Sequence, residues 1–220
     1  MPRLFPLTHG SDTLRIMAAT VGEDAHAKGA DGVRRAKRWL ESTMRVAWIW
    51  TNAGSAVSKK KLAYVWPGDP KRTFSFDLGG VMRAGEFDDH QFSAEVKCSD
   101  KEHKHPAMYR RFLAQCYVAL GERPHLCDHF MWITWAPFNA TAWHKHCSEE
   151  RVRQAVLEHR SLVFGITSSD EAEELLDAER VKEVADRLWL IVISEKQERF
   201  VPLVEWQAII DFAIKKGQSL

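Results

Sequence analysis

Three residues of this 220-residue chain have types and spacing suited to chemistry: Asp77 inside an apolar run, and Glu95 two positions before Lys97. Asp77 interrupts TFSFDLGGVM, where a bare carboxylate is costly unless it is paired or holds a cation. In QFSAEVKC, Glu95 and Lys97 flank Val96, and the period of two in a strand sends both polar side chains to one face and Val96 to the other. An Asp77 facing the same way on a neighbouring strand makes two carboxylates and an ammonium converge. Such a set suits metal-assisted hydrolysis of a phosphodiester. Asp77 and Glu95, helped by the Val96 carbonyl, are hard oxygen ligands for Mg²⁺, and Lys97 positions or activates a water.

The elements that must position these residues follow from periodicity. Val33, Ala36, Trp39, Leu40 and Met44 fall at helical spacing from about Asp31, with Arg34, Arg35, Lys37 and Arg38 on the other faces. Strand-like runs follow: VAWIW from Val46, LAYVW from Leu62, TFSFDLGGVM from Thr73 and QFSAEVKC from Gln91. NAGSAVSKKK and PGDPKR between them read as turns. Met108, Phe112, Leu113, Cys116, Tyr117 and Leu120 mark a second helix that stops near Gly121 and Pro124, and HFMWITW is a returning strand. Beyond Pro137 come helical stretches over about Ser148 to His159 and Asp170 to Arg187, the strand LWLIVI, and a helix over about Leu203 to Lys215. The expected fold is α/β, a central mixed β-sheet flanked by α-helices. Residues 1–30 form a flexible lead-in with a short helix near Leu14, 31–136 the core, and 137–220 a C-terminal α/β supporting extension.

In order and spacing this chain resembles the PD-(D/E)XK nuclease superfamily over about Gly32 to Trp135: helix, strand with Asp, strand with Glu-x-Lys, helix with Gln, strand. Phe76-Asp77-Leu78-Gly79-Gly80 is similar to the family's Asp strand, Ala94-Glu95-Val96-Lys97 to its Glu-x-Lys strand, and Gln115 in RFLAQCY to its helix glutamine. The resemblance implies a restriction-endonuclease-like fold and a nuclease using Mg²⁺ or Mn²⁺, most often on DNA. Asp77 and Glu95 would bind metal, Lys97 would handle the water and Gln115 would support the site. It also implies a homodimer or a subunit of a larger complex, and a role in defence or DNA processing. The alternative is a nuclease-like fold without catalysis, acting as a nucleic-acid-binding or assembly module.

Other features are weighed against solvated faces and ordinary core. Arg34, Arg35, Lys37 and Arg38, with Lys59, Lys60, Lys61, Lys101 and Lys104, are candidate contacts to a nucleic-acid backbone. The net charge of +1 divides into +5 over residues 1–110 and −4 over the rest, a bias that permits a polyanion without demanding one. His125, Cys127, His129, His144, His146 and Cys147 are a rival set of zinc ligands, in a spacing that matches no standard finger. Most of the nine tryptophans read as core, with Trp66, before Pro67, a candidate for exposure. A hydrophobic fraction of 45% and a charged fraction of 28% exclude a disordered or collagen-like chain. The longest apolar runs are strand length, and the N-terminus lacks a secretory pattern, so a cytoplasmic protein without a membrane partner is expected.

Overall fold

The computed structural model describes residues 29–44, 46–98, 104–199 and 212. The first described element, helix α1 (29–43), buries Gly32, Ala36 and Leu40 as a stripe of small and aliphatic side chains four residues apart. A Cβ at Gly32 would stand 2.5 Å from Cys98 Cβ, so glycine lets the helix start lie directly on the chain leaving the fifth strand. Arg34 and Lys37 are carried to the same edge.

Five strands form the central sheet in the order β1 (Val46–Thr51), β4 (Leu78–Met82), β5 (Gln91–Lys97), β6 (His129–Thr134), β7 (Leu188–Val192). The β1–β4 and β4–β5 pairs are antiparallel, whereas β5–β6 and β6–β7 are parallel. Helix α3 (His105–Glu122) makes the crossover that the parallel β5–β6 pair requires. The sheet is therefore mixed and flanked by helices, as expected. The segment beyond Pro137 supplies α4 (Glu149–Glu158), α5 (Arg160–Val163), α6 (Ser169–Leu175), α7 (Ala178–Asp186), the edge strand β7 and α8 (Glu195–Glu198).

Each face of the sheet has its own apolar layer. On one, Ala36 and Leu40 of α1 pack with Leu78, Phe92, Ala94, Val96, Met131 and Ile133. On the other, Tyr109, Phe112 and Leu113 of α3 pack with Phe76, Phe130 and Trp132, backed by Val152 and Val156 of α4 and Val181 and Val184 of α7. Every residue of β6 is buried, as in a strand covered on both faces.

Four expectations are corrected. TFSFDLGGVM is not one strand: β3 (Asp69–Ser75) pairs with β2 (Ala63–Trp66) in a separate two-stranded sheet, and the chain enters the central sheet only at Leu78. NAGSAVSKKK contains a helix, α2 (Ala56–Leu62), because the Ser55 hydroxyl accepts from the Ser58 N–H and caps it. The stretch Asp170 to Arg187 breaks into α6 and α7 where Asp177 caps the second helix. Trp66 is fully buried against Phe74, while Trp48 on the edge strand is 72% exposed. The expected lead-in, apart from Gly29 and Ala30, which open α1, and the expected last helix, apart from Phe212, lie outside the described residues. Among the described residues no helix is long and apolar enough to cross a membrane.

The β2–β3 hairpin is held against α5 through Gly68, whose N–H donates to Leu162 O at 2.8 Å. A Cβ there would penetrate the Gly165 backbone and stand 2.5 Å from Ser161 O. Gly165 stands in a left-handed turn at φ +76°, its backbone directly against Gly68. Gly68→Ala is therefore expected to destabilise the protein by about 1–3 kcal/mol, the usual cost of overpacking, read by urea denaturation. An unchanged midpoint would show that the hairpin is not held at this turn.

Candidate active site

Asp77 lies in the two-residue link between β3 and β4, where its backbone is held from both sides. Its N–H donates to Ala94 O of β5 at 3.0 Å, and its carbonyl accepts from the Asn52 N–H at 3.1 Å, just past the end of β1. Its carboxylate does what the ladder no longer does: Oδ2 accepts from the Val96 N–H at 2.9 Å, and Oδ1 accepts from Asn52 Nδ2 at 3.3 Å. The N–H and C=O of an extended residue point to the same side of its strand, so the Val96 carbonyl is also directed toward Asp77, beyond the last β4–β5 partner pair at Leu78 and Ala94.

Glu95 and Lys97 occupy the same face of β5, opposite Trp132 and Thr134 of β6. Lys97 Nζ donates to Glu95 Oε1 at 2.5 Å and stands 3.8 Å from Asp77 Oδ2, so the three side chains converge. Their side-chain exposures run only from 15% to 22%, enough for a small ligand to reach them from the open edge. Glu95 Oε2 is buried without a hydrogen-bond partner. Burial, reinforced by the negative charge of Asp77 and only partly offset by Lys97, pushes the Glu95 carboxyl up to about 7. Burial pulls the Lys97 ammonium down, but Glu95 and then Asp77 outweigh it and its pKa rises. The carboxylate pair is thus short of positive charge even with Lys97 in place. The donor set is two carboxylates and a carbonyl, all hard oxygens with one carboxylate oxygen unpartnered, and it fits a divalent cation such as Mg²⁺ or Mn²⁺.

Two hollows meet at Lys97. One, about 470 Å³, is lined by α1 through Val33, Arg34 and Lys37 and by Asn52, Asp77 and Lys97. The other, about 370 Å³, is lined by Ser75, Glu95, Lys97, Arg111 and Gln115 among others. Gln115 lines this second hollow together with Glu95 and Lys97. A third hollow of about 310 Å³ next to Asn52 and Ser75 brings in Lys59. Asn52, which braces Asp77, and Arg111, one helical turn before Gln115, had not been singled out from the sequence. The signals were the polar residue directly after an apolar strand and the i, i−4 neighbour of the helix glutamine.

The other basic residues are distributed unevenly. Arg34 and Lys37 line the α1 hollow while pairing locally with Asp31 at 2.8 Å and Glu41 at 2.6 Å. Arg35 is turned elsewhere: it pairs with Glu198 and stacks 4.6 Å from the Trp135 ring, fastening α1 to α8. Arg38 is exposed on the same helix, and Lys104 is exposed at the N-cap of α3. Lys60 and Lys61 lie on α2, with Lys61 Nζ 4.3 Å from the Trp50 ring. Lys101 falls outside the described residues.

The histidines and cysteines are taken up separately. Cys127 Sγ lies 3.7 Å from Tyr64 Oη, His146 Nε2 lies 3.2 Å from Phe138 O, and Cys147 Sγ faces Leu188 O. His125 sits in a short turn after α3 and His144 in another before α4. Among the described residues no group of three or more His, Cys, Asp or Glu is placed to hold a metal ion. His129 belongs to a relay at the opposite end of the sheet. Trp189 Nε1 donates to its Nδ1 at 3.1 Å, so neutral His129 carries its proton on Nε2 and donates it to His90 Nδ1 at 3.0 Å. Burial, followed by the neighbouring His90, lowers the His129 pKa below 6.5. Its contribution to stability is therefore present above pH 6.5 and lost as pH falls through the lowered value. Relative to wild type, His129→Phe is expected to gain melting temperature as the pH falls from 7 to 5. A difference between the two proteins that does not change with pH would remove His129 from the acid response.

Comparison of the chain with known protein families, with curated proteins and with solved structures finds no match.

Proposed function

We propose that this chain is a metal-dependent nuclease with a restriction-endonuclease-like core, hydrolysing phosphodiester bonds, in DNA rather than RNA. The observation that carries the reading is the approach of Lys97 Nζ to Glu95 Oε1 at 2.5 Å and to Asp77 Oδ2 at 3.8 Å, where two hollows with basic walls meet. Asp77, Glu95 and the Val96 carbonyl would hold Mg²⁺ or Mn²⁺. When bound, such a cation supplies Lewis-acid stabilisation of charge on the phosphate and acidifies water.

The remaining roles belong to the chain itself. Asn52 and the Val96 N–H fix the Asp77 carboxylate before substrate arrives, which removes a reorganisation cost from the reaction. Lys97, its proton held by Glu95 and Asp77, acts as a fixed donor that orients the attacking water and stabilises developing negative charge. Gln115 supplies an amide on the α3 side of the centre. Cutting both strands of a duplex takes two such centres, and a homodimer or a partner subunit would provide the second.

The test is cleavage of supercoiled plasmid, single-stranded DNA and RNA with Mg²⁺, Mn²⁺ or EDTA, with Asp77→Ala and Lys97→Met alongside. Metal-dependent cutting of DNA, lost in both variants, is the expected result. One observation favours the second reading, a binding module without catalysis: the Lys97 ammonium already serves as a counter-ion to Glu95. DNA binding that neither responds to divalent cations nor leads to cutting would decide for that module.

A further inference from the structure

Arg111 and Gln115 lie one turn apart on α3 and line the hollow that contains Glu95 and Lys97. Met108 and, from β3, Thr73, Phe74 and Ser75 complete it. Two cations share one carboxylate in this hollow: Lys97 is hydrogen-bonded to Glu95, and Arg111 acts on it only through space. Among the described residues Arg111 has no hydrogen bond or ion pair, and its guanidinium lies 5.9 Å from the Trp66 ring. Its neighbour Arg110, by contrast, is held by Glu158 at 2.6 Å.

A guanidinium offers a planar fork of donors that matches two phosphate oxygens at once. The hydroxyls of Ser75 and Thr73 and the amide of Gln115 add neutral donors around it. Across Lys97 lies the α1 hollow with Arg34 and Lys37. The two carboxylates therefore sit between two cation-lined hollows, an arrangement that suits a chain of phosphates rather than a lone one.

We propose that Arg111 holds a backbone phosphate next to the scissile one, on the side of the centre away from α1. The substrate strand then crosses from the Arg34 and Lys37 hollow, over Lys97, to Arg111. The inference rests on the nuclease reading and gives it a substrate class: a polynucleotide strand continuing on both sides of the cut. A small diester such as bis(p-nitrophenyl) phosphate carries no flanking phosphate and has nothing for Arg111 to hold.

Wild type, Arg111→Ala and Arg111→Lys separate the possibilities, since Arg111 is exposed and its replacement leaves the core intact. Binding of a labelled single-stranded DNA is measured against salt with Ca²⁺ in place of Mg²⁺. Arg111→Ala is expected to weaken binding about tenfold. The slope of log K against log salt should fall by about 0.7, the value for one phosphate contact on a single strand. Arg111→Lys should recover the slope but only part of the affinity. One neutral methylphosphonate, moved along the strand, should at a single position weaken the wild type about tenfold and leave Arg111→Ala unaffected. In cleavage, Arg111→Ala should raise KM for DNA far more than it changes KM or turnover for bis(p-nitrophenyl) phosphate, a selectivity that a merely structural residue would not show.

An unchanged salt slope, or the absence of any methylphosphonate position that spares the variant, overturns the inference while leaving hydrolysis intact. Binding that depends on Arg111 without cutting supports the inference and removes the hydrolysis reading. No binding of DNA by the wild type overturns both.

Discussion

Lys97→Met should cut DNA at least about a hundredfold more slowly than wild type in Mg²⁺ while still binding it when Ca²⁺ replaces Mg²⁺, the loss expected when a positioned proton-handling group is removed. Methionine keeps the stem that crosses the face of Trp132 and deletes only the ammonium, which lies 5.9 Å from that ring. Removing one partner of a buried ion pair is usually costly, because the other charge is stranded. Here the cost is limited: Glu95 already titrates near 7, so without Lys97 it takes up a proton and stays neutral in the fold. The variant should therefore remain folded, and its melting curve is the control. Asp77→Ala should lose cleavage as completely, and the double variant should be no slower than either single one, since the residues act as one unit. Multiplying losses would mean that the two residues work independently, and undiminished cutting by Lys97→Met would remove Lys97 from the chemistry.

Part of this geometry follows directly from residue order. The Glu95 and Lys97 pair needed only the strand period, and α3 declared itself through Phe112, Leu113, Cys116, Tyr117 and Leu120 on the 3.6-residue repeat, although Met108, read with them, is exposed and Tyr109 is buried instead. Asp77 was identifiable by type, but the reason for its position was not. The alternation of Phe74, Phe76 and Leu78 runs straight through Asp77, yet Phe74 and Phe76 pack on the α3 side and Leu78 on the α1 side. The change of face falls at the aspartate, where the chain leaves the hairpin for the main sheet. Only tertiary pairing reveals such a change of partner.

The omissions share a cause. Three consecutive lysines in α2 look like a solvated turn, and Ser55, its cap, resembles any loop serine until its hydroxyl meets the Ser58 N–H. Asn52 and Arg111 are common residue types whose roles depend on what lies opposite them: Asp77 for one, the hollow around Glu95 for the other. Trp66 looked exposed because a proline follows it, whereas the hairpin folds it under Phe74. Arg35 looked like a phosphate contact because its partner, Glu198, lies far along the chain. Local pattern located the catalytic candidates, and long-range pairing decided which charges remain available to a ligand.

Without divalent metal, Glu95→Gln should make the protein more stable than wild type at pH 8, although it should abolish cleavage. The fold holds Glu95 beside Asp77 with Oε2 buried and unpartnered, and the glutamine removes that charge at nearly constant shape. A folded value near 7 against an ordinary 4.5 means that unfolding releases a proton between those limits. The stabilising effect of protonated Glu95 is thus full below about 4.5 and lost as pH rises through about 7. At about 1.4 kcal/mol per pKa unit, less the cost of a buried amide N–H, the variant should gain about 1–2 kcal/mol at pH 8. That corresponds to roughly 2–8 °C in melting temperature for a chain of this size, and the gain should be lost on acidification before pH 4.5, where the cost of the buried amide leaves the variant the less stable. Divalent metal should reverse the ranking. A cation at Asp77 and Glu95 restores the missing positive charge, and saturation to a hundred times Kd would stabilise the wild type by about 2.7 kcal/mol. The glutamine variant, with one carboxylate fewer, should respond little. Melting curves of both proteins at pH 8, with and without Mg²⁺ or Mn²⁺, give the result directly. A wild type less stable than the variant in EDTA and raised selectively by metal fits a hydrolytic centre whose native counter-charge is a cation. Equal curves under all conditions would mean that Lys97 alone satisfies the carboxylates, as the binding-module reading requires.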